Sequence, residues 1–449
     1  MDRPLRIAVI GSGPAGIYAA DHLIKSDETV TVDILDKLPT PYGLIRYGVA
    51  PDHPRIKEII NALHRVMDNP RIRFLGNIAY GVDVKPEELE RFYDATIIAT
   101  GAEKDRELNI PGIDLPGSYG AADFASWYNG HPDVSRDWPL TAEKVAVIGA
   151  GNVAVDVARI LAKTADELLV TEIPDNVYQH LKNSPVTDVH VFSRRGPAQV
   201  KFTPQELREL DHSPNVEVIV HPEGIEFDEG SLEMMRQTRH VKMCVDILQN
   251  WAVRDQRDRP RRLHLHFLQA PVEVLGDGKV EGLRTETQEL TGDGWVRGTG
   301  EFTDWEVQAV YRAVGYLSTA LPDLPFDTKT GTIPHAAGRV LDLDGEHIPG
   351  MYVTGWIKRG PVGLIGHTKG DAGETVTSLL ADADKLPAAE RPDPADVLVY
   401  LQERGLSFTT WAGWQQLDAH EITLGEPHGR KRVKVVSRED LIRLSTIAG

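Results

Sequence analysis

Arg6-Ile7-Ala8-Val9-Ile10-Gly11-Ser12-Gly13-Pro14-Ala15-Gly16 is the stretch that decides the fold. A short apolar run that stops at glycine suits a strand buried in a parallel sheet. Its last six residues match G-x-G-x-x-G. In that motif Gly11 permits the tight turn, Gly13 lets the backbone approach a pyrophosphate, and Gly16 lets helix and strand pack closely. Residues 15–25 read as the helix, with Pro14 and Ala15 at its start. Its N-terminus offers free N–H groups and a positive dipole end to phosphates. Residues 30–35 form a second strand. Asp36 closes it 20 residues after Gly16, where a carboxylate accepts ribose hydroxyls. Such a motif with an acidic ribose partner suits NAD or FAD.

The pattern restarts downstream. Residues 94–101 are another buried strand closed by glycine, and Lys144-Val145-Ala146-Val147-Ile148 leads into Gly149-Ala150-Gly151-Asn152-Val153-Ala154, the G-x-G-x-x-A variant. A helix to about residue 163 and a strand over 188–193 follow. That strand ends in Ser193-Arg194-Arg195-Gly196 rather than an acid. Guanidinium groups in place of the carboxylate supply planar donors for a 2′-phosphate, which reads as NADP(H). Residues 164–187 read as an insertion within this module. Residues 309–315 are a weaker strand–glycine signal expected to return the chain to the first domain. Residues 350–355 have the same form, and 387–394 look like a connector to a C-terminal extension.

The predicted fold is α/β, with two Rossmann-like dinucleotide-binding domains and the NADP domain inserted into the FAD domain. The expected boundaries are 1–105 and 317–449 for the FAD domain and its extension, and 106–316 for the NADP domain. Two nucleotide sites in one chain imply a two-electron relay, so the first site is read as FAD.

Composition narrows the function. The 449 residues hold one cysteine, Cys244, which excludes an internal disulfide, a CxxC redox pair and a self-supplied iron–sulfur cluster. No metal site is expected. A net charge of −18 argues against nucleic acid or an anionic membrane as partner. No run approaches the roughly 20 apolar residues of a membrane span. The first strand begins so soon after Met1 that no leader is expected, which suggests the cytoplasm. Residues 236–262 are the exception in charge, with eight Lys or Arg against three Asp, a local excess of +5.

Longer ordered blocks carry a family resemblance. They are Pro39-Thr40-Pro41-Tyr42-Gly43-Leu44-Ile45-Arg46-Tyr47-Gly48-Val49-Ala50-Pro51-Asp52-His53-Pro54, then Phe202-Thr203-Pro204-Gln205-Glu206-Leu207-Arg208-Glu209-Leu210, then Gly355-Trp356-Ile357-Lys358-Arg359-Gly360-Pro361-Val362-Gly363-Leu364-Ile365-Gly366. With both glycine motifs, the chain resembles the adrenodoxin reductase-like ferredoxin–NADP reductases over residues 5–375, with an echo at Gly425-Glu426-Pro427-His428-Gly429-Arg430. Tyr42 stands where that family carries Trp or Phe.

The resemblance implies FAD contacts at Ala15, Asp36, Leu44, Val84, Trp356, Gly363, Leu364 and Ile365. It implies NADP contacts at Ala150, Gly151, Asn152, Val153, Arg194, Arg195, Glu206 and Gly363. His53 and Glu209 are expected near the flavin and nicotinamide. The implied activity is hydride transfer from NADPH to FAD and single-electron transfer to a ferredoxin-type iron–sulfur protein. Ferredoxins are acidic, and the resemblance makes Arg236, Arg239 and Lys242 the candidate docking residues, with the Arg254–Arg262 group as a second possibility.

Two other readings share these motifs. The electron-input subunits related to glutamate synthase carry cysteine-rich N-terminal cluster domains, whereas this chain begins at its first strand and holds one cysteine. A non-enzymatic NADP sensor would bind the nucleotide without a flavin.

Overall fold

The computed structural model describes residues 3–26, 29–363 and 365–446. The chain divides into two compact units. One comprises the residues up to Lys104, Asn129–Asp133 and those from Tyr316 onward; the other comprises Asp105–Tyr128 and Val134–Gly315.

The first unit is built on a seven-stranded sheet. Its order is His335–Ala336, Arg339–Leu341, His347–Val353, Ala95–Ile98, Leu5–Ile10, Val30–Asp36 and Ile72–Gly76. The last five run parallel. Every residue of Leu5–Ile10 is buried. Because side chains alternate across a strand, Ile7 and Val9 enter one apolar layer with Ile17 and Leu23, and Ala8 and Ile10 enter the other with Leu35 and Val353. The register sets Ile10 beside Leu35, so Gly11 leaves the sheet next to Asp36.

The C-terminal extension belongs to this unit. Its helices Trp411–Gly425 and Arg438–Ser445 place Trp414, Leu417 and Leu441 in the core beside the first dinucleotide helix, Pro14–Ile24. Thr409 exchanges both backbone hydrogen bonds with Gly76, at 2.8 and 2.9 Å, extending the pairing where the edge strand Ile72–Gly76 ends.

The second unit holds a six-stranded parallel sheet. Its order is Ser118–Gly120, Ala309–Arg312, Lys144–Ile148, Asp188–Phe192, Arg261–His266 and Val216–Val220. A three-stranded antiparallel sheet, Gln269–Leu275, Gly282–Leu290 and Val296–Glu306, completes it. Residues 164–187 carry two short helices, Ala165–Leu168 and Asp175–Lys182, which lengthen the crossover to Asp188–Phe192.

The 309–315 signal needs correction. Ala309–Arg312 lies inside the second sheet, between Ser118–Gly120 and Lys144–Ile148, and the return to the first unit comes after Gly315. An apolar run closed by glycine has the same form in either parallel sheet, so local sequence could not choose between them. Among the described residues, no helix is long and apolar enough to cross a membrane.

Candidate dinucleotide sites

In the first unit the glycine turn is shaped by close approaches. Gly11 has φ +110°, and a Cβ there would lie 2.5 Å from the Ala99 carbonyl oxygen. A Cβ on Gly16 would lie 2.0 Å from the Gly11 carbonyl oxygen, so helix and turn touch only because it is absent. Gly13 differs: a Cβ there would meet nothing within 4 Å, and it caps Pro14–Ile24 with no side-chain hydrogen bond. No side chain among the described residues caps the start of that helix, as an anion site requires.

Asp36 reaches back to this turn. Its Oδ2 accepts from the Ser12 N–H at 2.7 Å and the Ser12 hydroxyl at 2.6 Å, while Oδ1 accepts from the Leu38 N–H at 2.8 Å. Burial pushes the Asp36 carboxyl up from its ordinary value, and the Ser12 and Leu38 bonds oppose that shift. The carboxylate thus clamps the turn as well as ending the strand.

Two further loops close on the turn. Tyr42 donates its N–H to the Ser12 carbonyl at 2.9 Å, and a Cβ on Gly43 would lie 3.1 Å from the Gly13 Cα. Leu44, half-buried, opens the short helix Leu44–Tyr47 directly behind this contact. Gly355 has φ +79°, and a Cβ there would stand 2.6 Å from the Ala15 Cβ. It also donates its N–H to Asp371 at 2.6 Å, and the buried Lys358 ammonium lies 2.9 Å from the same carboxylate. Trp356 follows, half-buried, its ring 6.2 Å from that of Tyr316. Val362 and Gly363 are exposed, and Val362 keeps 69% of its surface. Uncapped helix, open glycine, half-exposed indole and bare apolar turn together fit a dinucleotide with a flat ring system.

Not every candidate joins this group. Val84 is fully buried among Leu75, Ile78 and Leu89, and its backbone N–H and C=O are bonded to Ala79 and Gly81. It presents no surface to a ligand, a correction to the expected FAD contact. Leu364 lies outside the described residues, and Ile365 begins the helix Ile365–Ala381. His53 is buried and caps the four-residue helix Pro54–Lys57, donating its N–H to the Ala50 carbonyl at 3.1 Å.

The second unit repeats the design. A Cβ on Gly149 would lie 2.3 Å from the Ala313 carbonyl oxygen, whereas one on Gly151 would meet nothing. Gly151 caps the helix Asn152–Ala162, again with no side-chain bond. The loop ahead of the helix Pro204–Glu209 lies across this turn: Lys201 N–H donates to the Ala150 carbonyl at 2.8 Å, and Thr203 N–H to Asn152 Oδ1 at 3.1 Å. Val153 is the second residue of the turn's helix. Glu206 is buried with Arg159, their charged atoms 3.9 Å apart, and Arg159 is 3.0 Å from Asp156. Glu209 is half-buried and accepts from the Gln205 amide at 3.3 Å.

Ile148 pairs with Phe192 across the sheet, and Gly149 N–H donates to the Phe192 carbonyl at 3.0 Å. The register therefore brings Arg194 and Arg195 to the strand ends where the glycine turn begins. Arg194 is exposed, and Arg195 is half-buried with its guanidinium 5.5 Å from the Trp295 ring centre. Among the described residues neither arginine has a carboxylate partner. Burial, and then the charge of Arg194, lowers the pKa of Arg195. Two adjacent cations with no carboxylate partner among the described residues suit a dianionic ligand. Trp295, 61% exposed, escaped the sequence reading because it lies a hundred residues downstream of the pair.

The docking candidates are exposed but mostly paired. Arg236 lies 2.9 Å from both Glu229 and Glu233, and Lys242 lies 2.8 Å from Asp246. Arg239 is exposed and has no ion pair among the described residues. Arg254 and Arg257 bind Asp211 and Glu217, and Arg262 binds Asp188. Acids from outside 236–262 thus offset much of its excess charge.

A family model for pyridine nucleotide-disulphide oxidoreductases matches residues 5–194. The NADPH-ferredoxin reductase FprA of Mycobacterium tuberculosis is 42% identical over 463 residues, covering 98% of this chain and 99% of the relative. The mitochondrial NADPH:adrenodoxin oxidoreductase of Homo sapiens is 38% identical over 457 residues, with coverage of 98% and 91%. The structure of Mycobacterium tuberculosis FprA in complex with NADPH is similar at a TM-score of 0.91 and 43% identity, covering 99% of this chain and all of that one.

Proposed function

The chain belongs to the family of NADPH-ferredoxin reductases and NADPH:adrenodoxin oxidoreductases, and from that premise we propose that it is an FAD-dependent NADPH:ferredoxin oxidoreductase. The observation that carries the coenzyme choice is the Arg194–Arg195 couple, without a carboxylate partner among the described residues, beside an open glycine turn. NADPH-dependent reduction of an artificial dye by the yellow holoprotein, with NADH as control, tests this reading. A colourless protein that binds NADP but reduces nothing would make it a sensor instead.

The residues divide the work. The Asn152 helix N-terminus and Gly151 receive the NADP pyrophosphate, and Arg194 and Arg195 receive the 2′-phosphate. The Pro14 helix N-terminus receives the pyrophosphate of FAD, with Asp36 near its ribose. Leu44, Trp356 and the Gly360–Gly363 turn flank the ring system. FAD, when bound, accepts two electrons as hydride and releases them one at a time. Glu206 is assigned to NADP, and His53 and Glu209 to holding the nicotinamide in register.

His53→Ala and Glu209→Ala should slow flavin reduction at saturating NADPH by on the order of 10²-fold, the usual consequence of misplacing a reacting group by about 1 Å. Stopped-flow absorbance reads this step with FAD still bound. Unchanged rates in both variants would remove the two residues from the site.

For the partner we assign an acidic iron–sulfur protein to the surface of Arg236, Arg239 and Lys242. Arg239→Glu should slow ferredoxin reduction several-fold at low salt and flatten its salt dependence, because surface charges act chiefly on association rate. Reduction of a small uncharged dye should not change. Equal loss of both activities, or of neither, contradicts the docking assignment.

A further inference from the structure

We propose that His190, His264 and His266, with His221 beside them, bind a divalent transition-metal ion of the zinc class on the parallel sheet of the second unit. Candidate nitrogens of the first three all lie within 4.8 Å of one another.

The sheet builds this cluster from residues far apart in sequence. His264 and His266 share a face of Arg261–His266 because they are two residues apart. His190 is the cross-strand partner of His264, and their rings stack at 4.4 Å with 9° between planes. His221 follows the strand on the other side of Arg261–His266, stacked 4.3 Å from His266. His190 Nδ1 lies 3.1 Å from His266 Nε2, and His221 Nε2 lies 3.2 Å from His264 Nδ1. Nitrogens on one tetrahedral zinc are about 3.3–3.4 Å apart, as bonds of 2.0–2.1 Å require. Both contacts are ring-to-ring hydrogen bonds, and a metal ion would replace them, with the stacked rings tilting towards a common point.

The surroundings suit a metal. Asp188 Oδ1 lies 3.0 Å from His264 Nε2. With that nitrogen donating to the carboxylate, Nδ1 carries the lone pair, the carboxylate–histidine arrangement that orients metal ligands. A pocket of about 380 Å³ opens on His190 and His264 and gives an entry path, its walls mixing Asp188, Asp304 and Glu306 with Lys144 and Arg262. Imidazole donors favour zinc, copper or nickel over magnesium and calcium, which want oxygen.

The test is calorimetric titration of untagged holoprotein with Zn²⁺ at pH 7.5, repeated with His190→Gln and His264→Gln. The proposal expects one Zn²⁺ per chain at micromolar affinity or tighter, no competition from Mg²⁺, and at least about a 10-fold loss in each variant. Both variants should retain dye reduction and the wild-type melting temperature without metal, and either one alone suffices if the other misfolds. Absence of stoichiometric Zn²⁺ binding, or equal binding by wild type and a folded variant, overturns it.

Discussion

Replacing Arg194 and Arg195 together with alanine should raise the KM for NADPH by at least about 10²-fold and leave the KM for NADH nearly unchanged. A charge-assisted hydrogen bond contributes roughly 1.5–3 kcal/mol, and about 1.4 kcal/mol is a factor of ten, so two such residues support this range. The argument depends on their isolation. Their guanidiniums have no carboxylate partner among the described residues, and burial together with the Arg194 charge already lowers the Arg195 pKa. A 2′-phosphate relieves that repulsion, and NADH has none to offer. Steady-state kinetics with both coenzymes decides it, and a double variant that keeps its NADPH preference would refute the assignment.

Glu421→Gln should be the most damaging single substitution in the first unit. Glu421 is wholly buried, and Arg46 donates to it through both terminal nitrogens, at 2.9 and 2.5 Å. Val435 N–H donates to the same carboxylate at 2.9 Å, and the Lys434 ammonium donates to the Arg46 carbonyl at 2.7 Å. Burial opposes the Arg46 charge, and Glu421 and Tyr47 together more than offset it. Removing the carboxylate leaves a buried cation uncompensated, which costs about 3–5 kcal/mol. Leu44 lies two residues before Arg46, so the same variant should also release FAD more readily. Thermal melts and retained flavin measure both effects. The double substitution Arg46→Met with Glu421→Leu should recover most of the stability, because replacing a whole buried pair is often neutral. A single variant as stable as wild type would contradict the role given to the C-terminal extension.

What the sequence made legible was local. Gly11 and Gly16 declared their turn because each answers a nearby steric demand, while Gly13 leaves the turn open, and the helix and Asp36 follow within one strand–helix–strand unit. The arginine pair was legible for the same reason, although the helices in residues 164–187 stretched its spacing. Features made by distant residues were not legible. Val84 looked available until Leu75, Ile78 and Leu89 enclosed it. The basic run over 236–262 looked like a patch until Asp211, Glu217 and Asp188 arrived from other elements. Arg46 and Glu421 are 375 residues apart, and no periodicity links them. The histidines meet only through the strand order of the second sheet.

The central claim is that electrons enter in pairs from NADPH and leave singly. Anaerobic mixing of the FAD-loaded protein with limiting NADPH and an acidic iron–sulfur ferredoxin tests it most directly. The account predicts ~2 ferredoxins reduced per NADPH, the balance required when a two-electron donor feeds one-electron acceptors through a flavin. NADPH consumed with the ferredoxin left oxidised, or a protein that holds no FAD, would contradict it.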